Sequence, residues 1–539
     1  MPFSLINDPW LPVRRAYSGA AVIRPSQITE NIEADPVIAI DWPRADFRLA
    51  SLEFLIGLLA IACPPTGPRD WPELYHNPPS PAVLEAAFAP LAFAFELDGD
   101  GPRFMQDFED LDAGENDVAN LLIEAPGEQT LKKNADLLNK RGQVLCLSRA
   151  SAAMALFTLQ TYAPGGGRGY RTGLRGGGPL TTLAIPPGQF PLPLWSMLWA
   201  NVPTNQPVHI DELASILPWL KKTKTSEKDE KVHLEPGKND RLAFWAMPRR
   251  IRLNFSLVEA SETCDLTGLS DTVIVTSWRH KNYGESYENF EHPLSPRYKN
   301  TPKDDDWIFV HPQPRGIGYR EFLGLIFTPH QASLTLQAAP TIIDYRRDRM
   351  AEAKTLGSAK WRILAAGYDI YNNMKVRDFV EAELPVIDVA DPEQVQLYEE
   401  SLAGLIKGAD EVAMALRYAV SRALFSEGTK PDTSASLFNN LRAQFWQETE
   451  GAFYREAARA AGGTVKEDVS TAFLQSLRQT ALRLFDEAAP ITSSDRPDRV
   501  AHAAKWLGLA LSGYGKAGSA LFSALGLEAR EVKPKRKQA

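Results

Sequence analysis

Residues 398–423, YEESLAGLIKGADEVAMALRYAVSRA, decide the architecture of the C-terminal part of the chain. Apolar or small residues recur there at alternating steps of four and three: Tyr398, Leu402, Leu405, Ala409, Val412, Leu416, Ala419 and Ala423. Because an α-helix turns once every ~3.6 residues, this spacing places all of them on one helical face. The stretch therefore predicts a long helix that buries this face against other helices.

Three more helices are predicted downstream, joined by short connections. The second covers 434–461 and ends at a glycine pair. A third begins at a capping box formed by Thr464 and Glu467 and reaches about residue 488. Pro497 suits the first turn of a fourth helix, which runs to about residue 513. Four helices with short connections predict an up-down bundle over residues 391–525.

The chain upstream of this bundle, residues 1–385, is mixed in character. Short β-like runs and a few helices alternate there with Pro and Gly. The predicted strands include 251–258, 272–277 and 307–310, and the predicted helices include 47–63 and 145–162. The charged stretch 220–240 lacks periodicity and is predicted to be an exposed loop. The predicted fold class is α+β, a large mixed N-terminal domain followed by a C-terminal four-helix bundle.

Charge and cysteine usage limit the class of protein. The 539 residues carry a net charge of -8, which argues against a uniformly polybasic nucleic-acid binder. Local basic loops remain possible binding elements, because salt screens charges over about 10 Å. The three cysteines, Cys63, Cys146 and Cys264, are far apart and form no CxxC pair. This predicts neither a zinc site nor a disulfide framework, and it fits a reducing, cytoplasmic environment.

No targeting or catalytic signal stands out. The N-terminal residues do not resemble a signal peptide, and the apolar run 54–63 is too short to span a bilayer. The eight histidines show no metal-ligand spacing, and no nucleophile elbow or phosphate-binding loop is present. Lone Cys146 is predicted to be a buried apolar residue rather than a nucleophile. We therefore predict no catalytic residue, metal or cofactor, although a stand-alone nucleic-acid-processing enzyme with a spatially assembled site remains an alternative.

The strongest local signal is the glycine segment, residues 163–183, APGGGRGYRTGLRGGGPLTTL. Glycines allow the backbone to approach a ligand closely, and interleaved arginines suit phosphates. The residues predicted to contact nucleic acid are Gly165, Gly166, Gly167, Arg168 and Gly169, with Arg171 and Arg175 interleaved further along. The alternative is a loop that only turns tightly.

Three other segments have the composition of nucleic-acid contacts. The first two are basic: residues 130–143, with Lys132, Lys133, Lys140 and Arg141 against a single Asp136, and residues 277–287, with Arg279, His280 and Lys281 at a suspected hairpin turn. The third, residues 367–379, combines the turn-forming pair Asn372 and Asn373 with Met374 and Lys375, which could enter a groove or base step. The alternative for the first segment is a solvated charged loop, and for the second it is an ordinary basic surface turn. For the third, the alternative is that Met374 is buried and the asparagine pair only turns the chain.

Eight stretches of the chain stand out together: SLINDPWLPV (4–13), DWPRADFRLASLEFLIGLL (41–59), RFMQD (103–107), GLRGGGPLTTL (173–183), FWAMPRRIRL (244–253), CDLTG (264–268), HPLSP (292–296) and GYDIYNNMK (367–375). In this order they resemble the CasA family, the large subunit of the type I-E CRISPR complex Cascade. The resemblance implies other Cascade subunits, a CRISPR guide RNA, double-stranded target DNA and a helicase-nuclease effector as partners. It implies no membrane and no catalytic role.

The resemblance also implies roles for particular residues. The glycine loop of the family falls at residues 165–169, and its motif-reading lysine falls near Arg279 to Lys281, with Lys281 as the best match. Its strand-separating wedge falls at residues 372–374, and its long loop that becomes ordered in the complex falls at about 124–142. Two departures are visible. The wedge reads Asn-Asn-Met instead of carrying a glutamine. Some relatives have a cysteine cluster around the CDLTG region, and only Cys264 remains of it here.

Overall fold

The computed structural model describes residues 2–136, 141–188, 191–228, 230–233, 241–288, 290–301, 303–304, 306–313, 316–326, 336–353, 361–371, 375–387, 389, 392–425 and 436–530. The chain divides into two compact units. The mixed unit comprises Met1–Pro314 and Gly324–Glu383, and the helical unit comprises Arg315–Leu323 and Leu384–Ala539.

The described strands belong to several small sheets. They are β1 (Leu11–Arg15), β2 (Gly19–Ile23), β3 (Val37–Ile40), β4 (Glu115–Asp117), β5 (Leu147–Ser148), β6 (Thr181–Ile185), β7 (Val232–His233), β8 (Arg250–Thr263), β9 (Ser270–Lys281), β10 (Tyr287–Glu288), β11 (Arg297–Tyr298), β12 (Ile308–Phe309), β13 (Leu336–Gln337), β14 (Arg362–Tyr371) and β15 (Lys375–Pro385).

Two hairpins dominate these sheets. Strands β8 and β9 pair antiparallel from Arg250↔Lys281 to Thr263↔Ser270, and β9 also pairs with β4 and β5. Strands β14 and β15 are neighbours in a second sheet, in which β14 also pairs antiparallel with β6, from Arg362↔Ile185 to Ala366↔Thr181. Strand β6 begins within the last residues of the glycine segment, 163–183, so the sheet joins this segment to the second hairpin.

Helices complete the mixed unit. They are α1 (Ala45–Ala62), α2 (Asp70–His76), α3 (Pro81–Phe88), α4 (Glu128–Lys132), α5 (Arg149–Tyr162), α6 (Leu194–Ala200), α7 (Leu213–Ile216), α8 (Phe322–Ile326), α9 (Pro340–Asp344) and α10 (Met350–Ala353), with α8 shared between the units. Helix α1 is apolar on nearly every side and is therefore almost fully buried. Its Phe54 meets Phe95, Phe104, Phe157 and Trp245 edge-on, which is a preferred aromatic geometry.

The helical unit contains α11 (Pro392–Leu424), α12 (Ser436–Ala461), α13 (Lys466–Ala488), α14 (Pro497–Leu511) and α15 (Gly515–Leu525). The apolar face predicted for α11 is buried at all eight positions, and α11 packs against each of the other four helices. The predicted α+β class with a C-terminal helical region is confirmed. The short α15 was not predicted; a Cβ on Gly408 would lie 2.5 Å from Leu525, so this glycine lets α15 approach α11 closely.

One local expectation is wrong, and a second is wrong at two residues. Helix α13 begins after Val465 without a side-chain cap, so Thr464 and Glu467 form no capping box. Thr464 instead donates its backbone N–H to the Arg459 carbonyl at 3.0 Å and closes the end of α12 after Gly463, which has φ +81°. In the charged stretch 220–240, Thr223 and Ser226 are buried rather than exposed, because their hydroxyls bond to Asp107 and to the Gly284 carbonyl.

Candidate nucleic-acid interface

The second half of the glycine segment is anchored in the core. The Arg175 guanidinium forms an ion pair with Glu53 of α1 at 2.7 Å, and both side chains are 2% exposed. Arg175 also donates to the hydroxyls of Thr181 and Ser295, each at 2.9 Å. Arg171 donates to the hydroxyl and the carbonyl of Ser226. Arg175 is therefore buried and holds the fold together, contrary to the expectation that the interleaved arginines face phosphates, whereas Arg171 is half-buried with its guanidinium bonded to Ser226.

Arg249 closes the first half of the segment into a loop. Its guanidinium donates to the Pro164 carbonyl at 2.6 Å and to the Arg171 carbonyl at 3.2 Å, so one side chain joins the two ends of the loop. It also lies 5.2 Å from the centre of the Tyr170 ring. Burial lowers the pKa of Arg249 to about 10, so the group stays charged at neutral pH. Sequence reasoning missed this residue; the only signal was the PRR run at 248–250.

The loop presents backbone with few side chains. Gly166, Gly167 and Arg168 are exposed. Gly169 has φ +81°, a conformation that residues with a Cβ rarely adopt. A Cβ on Gly166 would lie 2.7 Å from the Tyr170 Cβ, whereas a Cβ on Gly167 would meet no atom within 4 Å. Gly167 is therefore the position where outside atoms can reach the backbone most closely.

The end of β9 and the turn that follows it pack directly on this loop. The Tyr283 N–H donates to the Gly169 carbonyl at 2.8 Å, and the Asn282 amide donates to the Arg168 carbonyl at 2.9 Å. The Tyr170 hydroxyl and the His280 imidazole are hydrogen-bonded. Burial and the nearby Arg249 charge lower the pKa of His280, which favours a neutral ring. Two of the predicted segments thus form one continuous structure.

The cations at this end of β9 differ in availability. Arg279 donates to the Asn254 amide oxygen at 3.1 and 3.2 Å and to the Leu111 carbonyl at 3.2 Å, so it is held within the fold. Lys281 is exposed. Both residues lie on strand β9 and the turn comes after them, which corrects the expectation that they sit at the turn itself.

The far end of the glycine segment contacts the β14–β15 hairpin. A Cβ on Gly178 would lie 2.6 Å from the Tyr368 carbonyl, and one on Gly367 would lie 2.3 Å from the Pro179 carbonyl. The backbones of the glycine segment and of β14 therefore contact each other at positions where only glycine fits. Lys375 begins β15 and is exposed. Asn372, Asn373 and Met374, which connect the two strands in the sequence, lie outside the described residues.

The long segment, residues 124–142, is attached to the same hairpin at its start. Arg44 forms ion pairs with Glu124 at 2.7 Å and with Asp46 at 2.8 Å, and Asp46 accepts a hydrogen bond from Tyr368 of β14 at 2.5 Å. Burial alone would raise the pKa of Glu124, but the hydrogen bond and charge of Arg44 outweigh it and lower that pKa. Glu124 is therefore ionised at neutral pH and fixes the start of the segment.

Within that segment the cations are not equivalent. Lys132 and Lys133 are exposed at the end of α4. Arg141 donates to Asp136 at 2.5 and 2.6 Å, so the carboxylate largely matches the charge of this one cation. Lys140 lies outside the described residues.

Features of an enzyme or a metal site are sparse in the part of the chain that the structure describes. No three potential metal-ligating side chains cluster among those residues. Cys146 is half-buried rather than buried, and its thiol donates to the Thr263 carbonyl at 3.3 Å. Burial and the Asp265 charge raise the pKa of Cys146, which disfavours a reactive thiolate. No helix among the described residues has both the length and the apolar character to cross a bilayer.

Comparisons with known proteins agree with this architecture. A family model described as CRISPR-associated protein Cse1 matches residues 4–484. A solved structure of CasA from Thermus thermophilus is 18% identical with a TM-score of 0.63, and the match covers 94% of this chain and 98% of that one. For Thermobifida fusca Cse1 the identity is 15%, the TM-score 0.65 and the coverages 97% and 98%.

A chain of a structure titled "CRISPR RNA-guided surveillance complex" is 15% identical with a TM-score of 0.67, over 95% of this chain and 99% of that one. At such identities the structural likeness shows the fold, whereas the family model matches nearly the whole sequence. The chain belongs to the CRISPR-associated protein Cse1 family.

Proposed function

We propose that this chain is the large subunit of a cytoplasmic, RNA-guided Cascade complex in CRISPR antiviral defence. In this role it recognises the protospacer-adjacent motif in double-stranded DNA, promotes duplex opening and R-loop formation, and recruits the helicase-nuclease. Its other partners are the remaining Cascade subunits and the CRISPR guide RNA. The chain itself acts by binding, without catalysis, and residues 1–385 and 391–525 serve as its two domains.

One observation carries the proposal: the glycine segment connects the two hairpins that the family resemblance assigns to motif reading and strand separation. Its residues 168–169 bond to the turn after β9, and its residues 178–179 touch β14. A duplex lying on this surface would meet exposed backbone at Gly166 and Gly167, the cations Arg168 and Lys281, and then the end of the β14–β15 hairpin. This arrangement suits contact with the minor groove of the duplex beside a base step that becomes unstacked.

The cations on this surface have separate roles in the proposal. Lys281 reads base edges, and Arg279 supports the strand that carries it. Lys132, Lys133, Lys140 and Arg141 add phosphate or RNA contacts in the long segment, with Arg141 the weakest contributor because Asp136 neutralises it. Lys375 contacts the backbone beside the wedge formed by Asn372, Asn373 and Met374.

The experiment is assembly followed by selection. The chain is co-purified with tagged partner subunits, and the bound RNA is sequenced. The assembled complex is then offered a pool of duplexes in which randomised bases flank a guide-matched target. We expect the chain to be required for enrichment of particular flanking bases, and Lys281→Ala to flatten that enrichment. Equal recovery of all flanks, or enrichment without this chain, would contradict the proposal.

Incubating the purified chain with DNA and divalent metal ions is the companion control. A non-catalytic subunit leaves the DNA intact, whereas specific cleavage would favour a stand-alone enzyme.

A further inference from the structure

Tyr371, the last residue of β14, stands out because its large side chain is 48% exposed. The rest of β14 up to Asp369 is mostly buried, as expected for a strand paired on both sides. An aromatic ring left in water at the end of a hairpin contributes little to the core. It is therefore available for a ligand.

The ring has a fixed cation on one side. The Arg377 guanidinium of β15 lies 4.2 Å from the centre of the Tyr371 ring, within the range of a cation–π contact. Arg377 also lies 3.8 Å from the carboxylate of Asp369, which is only 4% exposed. The buried carboxylate holds the guanidinium in place, so the tyrosine and arginine form a preordered pair.

The charge around the ring favours a polyanion. Exposed Lys375 lies at the start of β15, and the Arg377 side chain is itself 40% exposed. Asp369 is already ion-paired with Arg377, and the exposed Asp378 follows Arg377 on β15, where strand alternation directs it to the face opposite Lys375 and Arg377. A half-exposed aromatic ring with cations beside it is the combination that binds unpaired bases and their phosphates without regard to sequence.

We propose that Tyr371 stacks on a nucleobase released from the DNA duplex, while Lys375 and Arg377 contact the adjoining phosphates. This inference rests on the proposed function and adds a residue to it. Tyr371 immediately precedes the 372–374 connection in the sequence, so it lies where a base pair would be parted. The stack on the tyrosine ring replaces the base–base stack that is lost when the duplex opens, which lowers the free energy of the opened state.

Photocrosslinking on the assembled complex tests this directly. Guide-matched duplexes, carrying the flanking bases selected above, contain 5-iododeoxyuridine at single positions beside the motif. Irradiation links this base to a stacked aromatic residue, and mass spectrometry identifies the peptide. The variants are Tyr371→Leu, Tyr371→Phe as the conservative replacement, and Tyr17→Leu as a matched control at another exposed tyrosine, which is 74% exposed.

We expect a crosslink to Tyr371 at one position next to the motif. Loss of one base–aromatic stack in Tyr371→Leu should slow duplex opening about tenfold, while Tyr371→Phe and Tyr17→Leu stay within about twofold of the unmodified protein. Crosslinks that map elsewhere, or normal opening by Tyr371→Leu, would overturn the stacking role. Normal motif selection in the same samples would show that the proposed function survives, whereas failure of the unmodified complex to open any duplex would refute that function instead.

Discussion

Replacing Gly166 and Gly167 separately by leucine distinguishes a binding role of the glycine loop from a structural one. The two positions are adjacent and exposed, but they differ in available space. A Cβ on Gly166 would lie 2.7 Å from the Tyr170 Cβ, and overpacking of this kind costs ~1–3 kcal/mol. A Cβ on Gly167 meets nothing within 4 Å, and its φ is outside the left-handed region. A compatible glycine replacement changes stability by less than ~1 kcal/mol.

For DNA binding we expect the opposite order, with Gly167→Leu affecting affinity directly and Gly166→Leu acting mainly through stability. A leucine at Gly167 would project from the surface and hold the backbone away from the duplex. The lost base-edge contacts should cost ~1–3 kcal/mol, which is about 5- to 150-fold in affinity for motif-bearing duplex. Thermal melting of the chain and titration of the assembled complex with motif-bearing and motif-free duplexes measure the two effects. Gly101→Leu is the matched control, because Gly101 is also exposed with no atom within 4 Å of a Cβ.

The expected pattern for Gly167→Leu is an unchanged melting temperature with weaker binding that is confined to motif-bearing duplex. Normal affinity of Gly167→Leu would refute a close approach of DNA to this loop. An equal loss on motif-bearing and motif-free duplexes would also contradict it, since the loop would then contribute only general attraction.

Three other perturbations have separate readouts. Lys132→Ala with Lys133→Ala should weaken nucleic-acid binding similarly for all sequences and reduce the slope of log affinity against log salt by about 1–2; an unchanged slope would show that neither lysine contacts phosphate. Arg249→Met removes the donor shared by two loop carbonyls and should destabilise the free chain by ~2–4 kcal/mol in denaturant unfolding; a loss below about 0.5 kcal/mol would contradict the clamp. Asn373→Ala with Met374→Ala should impair R-loop formation on intact duplex but not on a target with pre-melted bases beside the motif, and equal defects on both would reject the wedge.

The helical unit could be predicted from the sequence because its information is local. The spacing of apolar residues in α11 defines the buried face, and the exposure of all eight predicted positions is 5% or less. The exact ends of the helices were harder to predict, because they depend on hydrogen bonds that the apolar spacing does not reveal. Thr464 resembles an N-cap in the sequence, yet its N–H closes the preceding helix and Val465 occupies the N-cap position of α13.

The candidate site was only partly predictable, for a related reason. Composition identified the glycine and basic segments, but it could not separate exposed cations from structural ones. Arg175 pairs with Glu53, 122 positions away, and Arg279 with Asn254 on the neighbouring strand. Such partners are brought together only by the tertiary fold. Arg249 and Arg44, which position the loop and the long segment, lie in stretches that carry the family resemblance, but nothing near them in the sequence indicated their partners.

Duplex opening by complexes assembled with and without this chain tests the central claim most directly. Permanganate reactivity of thymines in the displaced strand, beyond the pre-melted bases, reports guide pairing on intact and pre-melted targets that share the same guide-matched strand. We predict that omission of the chain abolishes reactivity on intact motif-bearing duplex, and that pre-melting largely restores guide pairing without it. Equal opening of intact duplex in the absence of this chain would contradict its role in reading the motif and parting the strands.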